Sequence, residues 1–308
     1  MDNASSQHSD ETIFSANSAK PIIKWVGGKT QLVQDIVSRL PADFDSYDTY
    51  IEPFIGGGAF LLHVLKNYHG VKNVVLNDLN RKLITLYHTV KENSDALIKK
   101  LKFLEADYLP RNEPDRKSYF LKIREQFNES EKYDDINISA WFIFLNKTCF
   151  NGLYRENSKG GFNVPFGRYD NPMICDEKNL RAVSLLLQNV TILCGDFSDT
   201  LQYAQGKTLF YFDPPYKPLS NTSSFNSYSK KDFEDEEQIR LGEFCREIDE
   251  LGHKFILTNS DVKGKNPNKD FFDDLYDGFE IQRVYATRSI NSNPSKRGKL
   301  TELMVSNF

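Results

Sequence analysis

The sequence predicts an α/β fold, with one sheet domain built from both ends of the chain and interrupted by an inserted, mainly helical unit at about 90–175. Three observations carry this. Short apolar runs alternate with amphipathic helical stretches on both sides of the middle third. Residues 93–146 read as mostly helical, with charged faces and an apolar stripe at 140–145. From Cys149 to Ile174, glycine, asparagine, proline and aromatic residues crowd together with little periodicity, as in an elaborate loop or small hairpin region.

In chain order, residues 1 to about 19 are polar and serine-rich and read as a loose tail. Residues 49–54 form a short strand running into Gly56, Gly57 and Gly58, and the helix that follows carries Phe60, Leu61, Val64 and Leu65 on one face. Val74-Val75-Leu76 makes a second strand ending in Asn77-Asp78, and a helix spans about 80–92. This strand–helix–strand unit is the seed of a parallel sheet. After the insert the alternation resumes: helix 177–188, strands 190–194 and 208–212, helix 234–251, strand 254–259 and a final strand near 301–307. No internal repeat is found.

Bulk properties narrow the class. A chain of 308 residues, 39% of them hydrophobic, can bury a sizeable core. Its richest apolar run, Trp141-Phe142-Ile143-Phe144-Leu145, is far too short to cross a membrane. The start has neither a basic n-region nor an apolar h-region. Cys149, Cys175, Cys194 and Cys245 form no C-x-x-C pair, so reduced thiols in a cytoplasmic protein are expected, with no metal. The net charge of −4 does not suggest a nucleic-acid binder, but the charge is segregated. Acids cluster at 232–250, and bases gather at Lys147, Arg155, Lys159 and Arg168 and at Lys296-Arg297-Gly298-Lys299. That permits a polyanionic partner, although from charge alone a solvated loop is the better reading.

Four motifs bear on chemistry. Glu52-Pro53-Phe54-Ile55-Gly56-Gly57-Gly58 places glycines between a strand and a helix, where a ligand can approach the backbone closely. Position 61 is Leu, so the pyrophosphate fingerprint is incomplete. A nucleoside ligand without phosphates, such as S-adenosylmethionine, needs only the close approach; a glycine turn without a ligand fits equally well. Asp78 lies 22 residues after Gly56, a spacing that suits a ribose acceptor, with helix capping by Asn77 or Asp78 as the alternative. Lys24-Trp25-Val26-Gly27-Gly28-Lys29-Thr30 fails as a P-loop, because position 23 is Ile. Trp25 either stacks on a planar ligand or is a core residue, and Lys29 is able to meet a carboxylate.

The fourth motif is Asp213-Pro214-Pro215-Tyr216, delivered by the apolar strand Leu209-Phe210-Tyr211-Phe212. Open α/β sheets bind ligands at this end of their strands. A Pro-Pro pair at a given place is roughly a one-in-400 event. Two prolines stiffen the backbone and remove two N–H donors. An exocyclic amino group is a poor nucleophile because its lone pair is delocalised into the ring. The Asp213 carboxylate and the Pro214 carbonyl, accepting its two N–H bonds, would localise that pair and aim it at an electrophilic methyl. Tyr216 would stack on a base taken out of its helix. A proline-stiffened turn is the bland alternative.

Together these motifs resemble the Dam and DpnII-type (D12 class, alpha group) DNA adenine-N6 methyltransferases over nearly the whole chain after residue 20. The resemblance implies a Rossmann-like S-adenosylmethionine-dependent methyltransferase sheet formed by 20–89 and 176–308, with 90–175 as the target-recognition domain. It implies catalysis by Asp213, Pro214 and Tyr216. The implied S-adenosylmethionine site takes in Trp25, Lys29, Phe54, Gly56, Gly58, Asp78, Asp196, Phe197 and Asp213. The implied DNA contacts are Lys24, Phe150, Asn151, Leu153, Arg155 and Pro165, reading GATC in double-stranded DNA. Phe150, which would enter the base stack, stands where some members carry tyrosine. Arginine offers a fork to guanine, and Leu or Pro meets a thymine methyl. The basic segment from Arg288 to Thr301 contacts phosphates or is a mobile loop; Asn259 shapes the pocket or supports it. A monomer in the cytoplasm of a bacterial or phage-infected cell is expected, alone or in a restriction–modification pair. Competing acceptors are cytosine N4, RNA adenine and a protein glutamine; a non-catalytic DNA-binding regulator is the alternative from another class.

Overall fold

A computed structural model of the chain describes residues 16–27, 32–216, 233–261, 270–287 and 299–308. Among the described residues seven strands form one sheet: β1 (Thr49–Glu52), β2 (Asn73–Asp78), β3 (Val190–Cys194), β4 (Thr208–Phe212), β5 (Lys254–Ser260), β6 (Glu280–Thr287) and β7 (Lys299–Ser306). The order is β3-β2-β1-β4-β5-β7-β6. The first five strands are parallel, while β7 pairs antiparallel with both β5 and β6. Strand order reverses between β1 and β4, so a crevice opens there at the carboxyl edge, where doubly wound sheets bind ligands.

Helices cover both faces: α1 (Val33–Val37), α2 (Ala59–Asn67), α3 (Arg81–Glu92), α4 (Ser94–Tyr108), α5 (Glu113–Asn128), α6 (Asp135–Thr148), α7 (Glu177–Leu187), α8 (Asp235–Glu250) and α9 (Phe271–Leu275). The strands alternate between two cores with period two. Tyr50, Leu76 and Tyr211 pack into one core with helical residues such as Leu61, Leu83 and Val183. Ile51, Phe210 and Phe212 pack into the other, against Leu241, Phe244 and Ile248 of α8. Side-chain caps start four of the helices. Asn80, Asn112, Asp134 and Asp176 each accept from the backbone N–H three residues on.

The predicted elements recur within two residues of their expected ends, with three corrections. Ala16–Ser18, expected in a loose tail, form a 3-10 turn, and Ala19 is buried in the first core. The insert closes no core of its own: Leu101, Phe120 and Phe144 share one continuous core with the sheet. The expected boundary after residue 89 also falls inside α3. Strand β6, α1, α9 and a 3-10 stretch at Phe197–Tyr203 were not expected. In β6 the main apolar residues, Ile281 and Val284, are three apart and face different cores, so no period-two signal reaches the sequence.

Candidate active site at the sheet edge

Strand β4 is wholly buried and ends at Phe212, so Asp213-Pro214-Pro215-Tyr216 leaves the sheet beside the end of β1. Thr258 of β5 donates from Oγ1 to Asp213 Oδ1 at 3.2 Å. Tyr216 donates its hydroxyl to Glu302 Oε2 at 2.6 Å, and Glu302 lies opposite Ser260 in the β5–β7 ladder. Burial, then the charges of Asp213 and Glu302, pushes the Tyr216 phenol well above its ordinary range, so it stays protonated and keeps donating. Glu52, at the end of β1, is buried and accepts from Tyr50 at 2.8 Å. Burial drives the Glu52 carboxyl well up, and the neighbouring Asp213 charge adds to this. Glu52 thus lies beside the Asp213 loop with its charged form disfavoured.

The glycine turn sits one strand over. Gly56 and Gly58 have φ of 46° and 67°, the left-handed region that glycine enters without strain. A Cβ on Gly56 would lie 2.7 Å from Trp25 Cδ1, and one on Gly58 2.6 Å from the Tyr87 hydroxyl. Asp78 accepts from the Gly56 N–H at 3.2 Å and the Asn80 N–H at 2.9 Å. The cap of α3 belongs to Asn80, which accepts from Leu83 N, and this removes the capping alternative for Asn77 and Asp78. Burial raises the Asp78 carboxyl to about 6 against the pull of those N–H groups. Asn77 donates to the carbonyls of Pro53 and Gly195, tying together the turns after β1 and β3. Among the described residues its buried Oδ1 has no partner.

Trp25 leans over the glycine turn and stacks on Tyr154 of the insert at 5.2 Å. It is partly buried against the first core. Phe54 and Phe197 have ring centroids 5.5 Å apart; Phe54 is half-buried and Phe197 buried. The Arg240 guanidinium lies 4.2 Å over the Phe197 ring and forks onto both carboxylate oxygens of Asp196, at 2.8 and 2.6 Å. Those bonds hold Asp196 at about 2, against its partial burial. Lys29 and positions 288–298 of the basic segment lie outside the described residues.

The 149–169 loop brings the expected DNA-contacting residues together. Phe150 N donates to Pro165 O at 2.8 Å, and Arg155 O accepts from Asn163 N at 3.1 Å. Arg155 Nε donates to Asn163 Oδ1 at 2.7 Å. Phe150 is 51% exposed, Pro165 is exposed, and Leu153 is half-buried against the first core. Asn151 has φ of 58° and donates its N–H to the Tyr169 hydroxyl at 3.0 Å. Lys24 joins this loop through the buried Asn146 of α6. That amide accepts from Lys24 N and donates to the carbonyls of Lys24 and Gly152, each at 2.9 Å.

Sequence reasoning did not single out Thr258, Gln238, Glu302, Arg240 or Asn146, and it gave Glu52 no role. Leu79 was missed as well: it is 77% exposed directly after Asp78, an apolar side chain in solvent beside an acid. A large apolar residue directly after the strand-end Asn77-Asp78 was the available signal.

The sheet is doubly wound, with a glycine turn after β1, an acid at the end of β2 and Asp-Pro-Pro-Tyr after β4, the carboxyl edge at which α/β enzymes of this class bind ligands. The chain belongs to the D12 class N6 adenine-specific DNA methyltransferases, whose family model matches residues 25–290. It is 48% identical over 293 residues to the Type II methyltransferase M.MjaIII of Methanocaldococcus jannaschii, covering 94% of this chain and 99% of that protein. The Type II methyltransferase M1.LlaDCHI of Lactococcus lactis subsp. cremoris is 36% identical, with 94% and 95% covered. The DNA adenine methylase of Escherichia coli (strain K12) is 32% identical, with 93% and 94% covered. The protein is therefore an adenine-specific DNA methyltransferase.

Proposed function

We propose that the enzyme methylates adenine N6 within GATC in double-stranded DNA, using S-adenosylmethionine held along the ends of β1 and β2. The observation that carries this reading is the adjacency of the Asp213-Pro214-Pro215-Tyr216 loop to the Gly56–Asp78 turn at the strand-order reversal. The donor site fits a nucleoside. Asp78 offers a carboxylate, Leu79, Phe54 and Phe197 offer apolar walls, and the glycine turn admits close approach. When bound, S-adenosylmethionine supplies an electrophilic methyl on a sulfonium. Trp25 packs over the turn and supports it in this reading.

On the acceptor side, Asp213 and the Pro214 carbonyl take the two N–H bonds of the adenine amino group and turn its lone pair towards the donor. Thr258 fixes the rotation of the Asp213 carboxylate. Tyr216 stacks on the flipped base, its ring held through its hydroxyl by Glu302. After transfer the nitrogen sheds a proton, and Asp213 is placed to accept it. Asp196, paired with Arg240, forms the far wall of the donor site together with Phe197.

GATC reading rests on the loop. Lys24 and Arg155 meet guanines, Leu153 and Pro165 meet thymine methyls, and Phe150 enters the stack beside Asn151. The Arg155 bond to Asn163 uses Nε and leaves the two NH2 groups for a base edge. The test supplies labelled S-adenosylmethionine with duplexes containing GATC or a one-base variant, and with single-stranded GATC. Label should enter the GATC duplex selectively. Equal labelling of every duplex would sink the sequence assignment, and labelled cytosine would sink the adenine site reading.

A further inference from the structure

Prolines 214 and 215 carry no N–H, so neither gives this loop a backbone donor. Gln238 of α8 supplies one donor: its Nε2 donates to the Pro215 carbonyl at 3.1 Å. Asn259 of β5 donates from Nδ2 to Gln238 Oε1 at 3.0 Å, and its Oδ1 accepts the Ser260 backbone N–H at 2.8 Å. Both amides are fully buried. The direction of this chain of bonds is set from both ends. A backbone N–H only donates, so Asn259 must turn its oxygen to Ser260 and its NH2 to Gln238. A carbonyl only accepts, so Gln238 must turn its NH2 to Pro215.

Burying two amides carries a desolvation cost that an apolar pair would avoid. Stability alone is therefore a poor reason for them. We infer that Asn259 and Gln238 form a positioning relay for methyl transfer, fixing the Pro215 peptide and so aiming the Pro214 carbonyl and the Tyr216 ring at the target amino group. This inference rests on the reading of Asp213, Pro214 and Tyr216 given above. Strand β5 holds the loop at two consecutive residues, which project to opposite faces of the sheet. Thr258 bonds the Asp213 carboxylate directly, and Asn259 reaches Pro215 through α8. Neither member of the relay is a catalytic residue; both act through the peptide they hold.

Two near-isosteric variants of the full-length enzyme separate positioning from folding. Gln238→Met keeps the length of the side chain and has no donor. Its kcat should fall on the order of 10- to 100-fold, the scale of a displaced reacting group, while donor and duplex affinity stay within about twofold. Gln238→Glu adds a pH readout. Ionised, the new carboxyl has no proton to give Pro215; neutral, it donates to Pro215 and accepts from Asn259. Burial favours the neutral form as pH falls, so its kcat relative to wild type should recover between about pH 8 and about pH 6. Of the charged neighbours on the helix, Arg240 pairs with both Glu237 and Asp196, and Asp213 lies on the loop itself. Dividing by the wild-type rate at each pH removes their titration.

An unchanged kcat in Gln238→Met, a Gln238→Glu deficit equal at both pH values, or a parallel loss of donor and DNA binding overturns the relay. Asp213→Ala measured alongside distinguishes the two failures. If it abolishes turnover while Gln238→Met is normal, only the relay falls. If it turns over normally, the site reading beneath the relay falls with it.

Discussion

At the sheet edge, the groups proposed to touch the adenine amino group are held by side chains buried in the sheet layers, among them Thr258, Asn259 and Gln238. In the 149–169 loop, the side chains proposed to touch base edges are held mainly through their backbones. Asn128 of α5 brackets Phe162 with two bonds, Asn157 accepts from the N–H groups of Lys159 and Gly161, and Asn146 clips Gly152 to Lys24. The tips, Phe150 and Pro165, remain exposed. Transfer needs acceptors fixed against a nitrogen to within fractions of an ångström, and buried bonds to the acceptors supply that. Reading a sequence needs side chains that protrude from a rigid frame, and bonds to the backbone leave them protruding. Substitutions at the edge should therefore change how fast adenine is methylated, and substitutions in the loop which adenine is chosen.

The largest expected effect is at Asp213. Asp213→Ala removes an acceptor of the amino N–H and of the departing proton, and kcat should fall on the order of 10³-fold with duplex affinity retained. Single-turnover rates and a separate binding titration check this. A variant that loses DNA affinity and keeps its rate would erase the division between edge and loop.

A smaller effect with a different shape is expected in the loop. Arg155→Ala should lower discrimination at one guanine by about 1–3 kcal/mol, seen as relative kcat/KM across duplexes altered one base at a time. Asn163→Ala, which frees Arg155 Nε without removing the fork, should blur the same position less. If Arg155→Ala weakens all duplexes alike, Arg155 is a phosphate contact and the loop is an anchor.

The two regions were also unequally legible in the sequence. The edge motif announces itself because two prolines between an acid and an aromatic are rare at a strand end, and the strand before them is entirely apolar. Its supports were hidden. Gln238 follows Asp235-Glu236-Glu237 in what reads as a solvated acidic helix start, and nothing local says that the fourth residue turns inward. Glu302 comes from β7, 86 residues beyond Tyr216, and only the antiparallel pairing brings them together. In the loop the chemistry-bearing side chains were recognisable by type and by family resemblance. The braces Asn128 and Asn146 were not, because an asparagine in the last turn of a helix gives no sign of which loop it will meet. The shared core of insert and sheet was likewise invisible: periodicity reports that a helix has an apolar face, not what that face meets.

The smallest expected effect tests whether the donor half of the edge is as fixed as the acceptor half. Burial raises the Asp78 carboxyl to about 6, with the N–H groups of Asn80 and Gly56 opposing the rise. Above that value Asp78 is a carboxylate, the stronger acceptor for the ribose hydroxyls proposed to meet it; below it the neutral acid would offer a weaker acceptor and loosen its hold on Gly56. Donor affinity should accordingly be full at neutral pH and decline as pH falls through about 6. For a single required ionisation, the decline is about fourfold between about pH 7.5 and about pH 5.5. Asp78→Asn should bind more weakly at neutral pH and lose that dependence, because an amide does not titrate in this range. Isothermal titration of S-adenosylmethionine without DNA isolates the donor side from Asp213 turnover. A wild-type affinity that stays flat from neutral pH to well below 6 would place the ribose away from Asp78, leaving the carboxylate as a brace for the glycine turn alone.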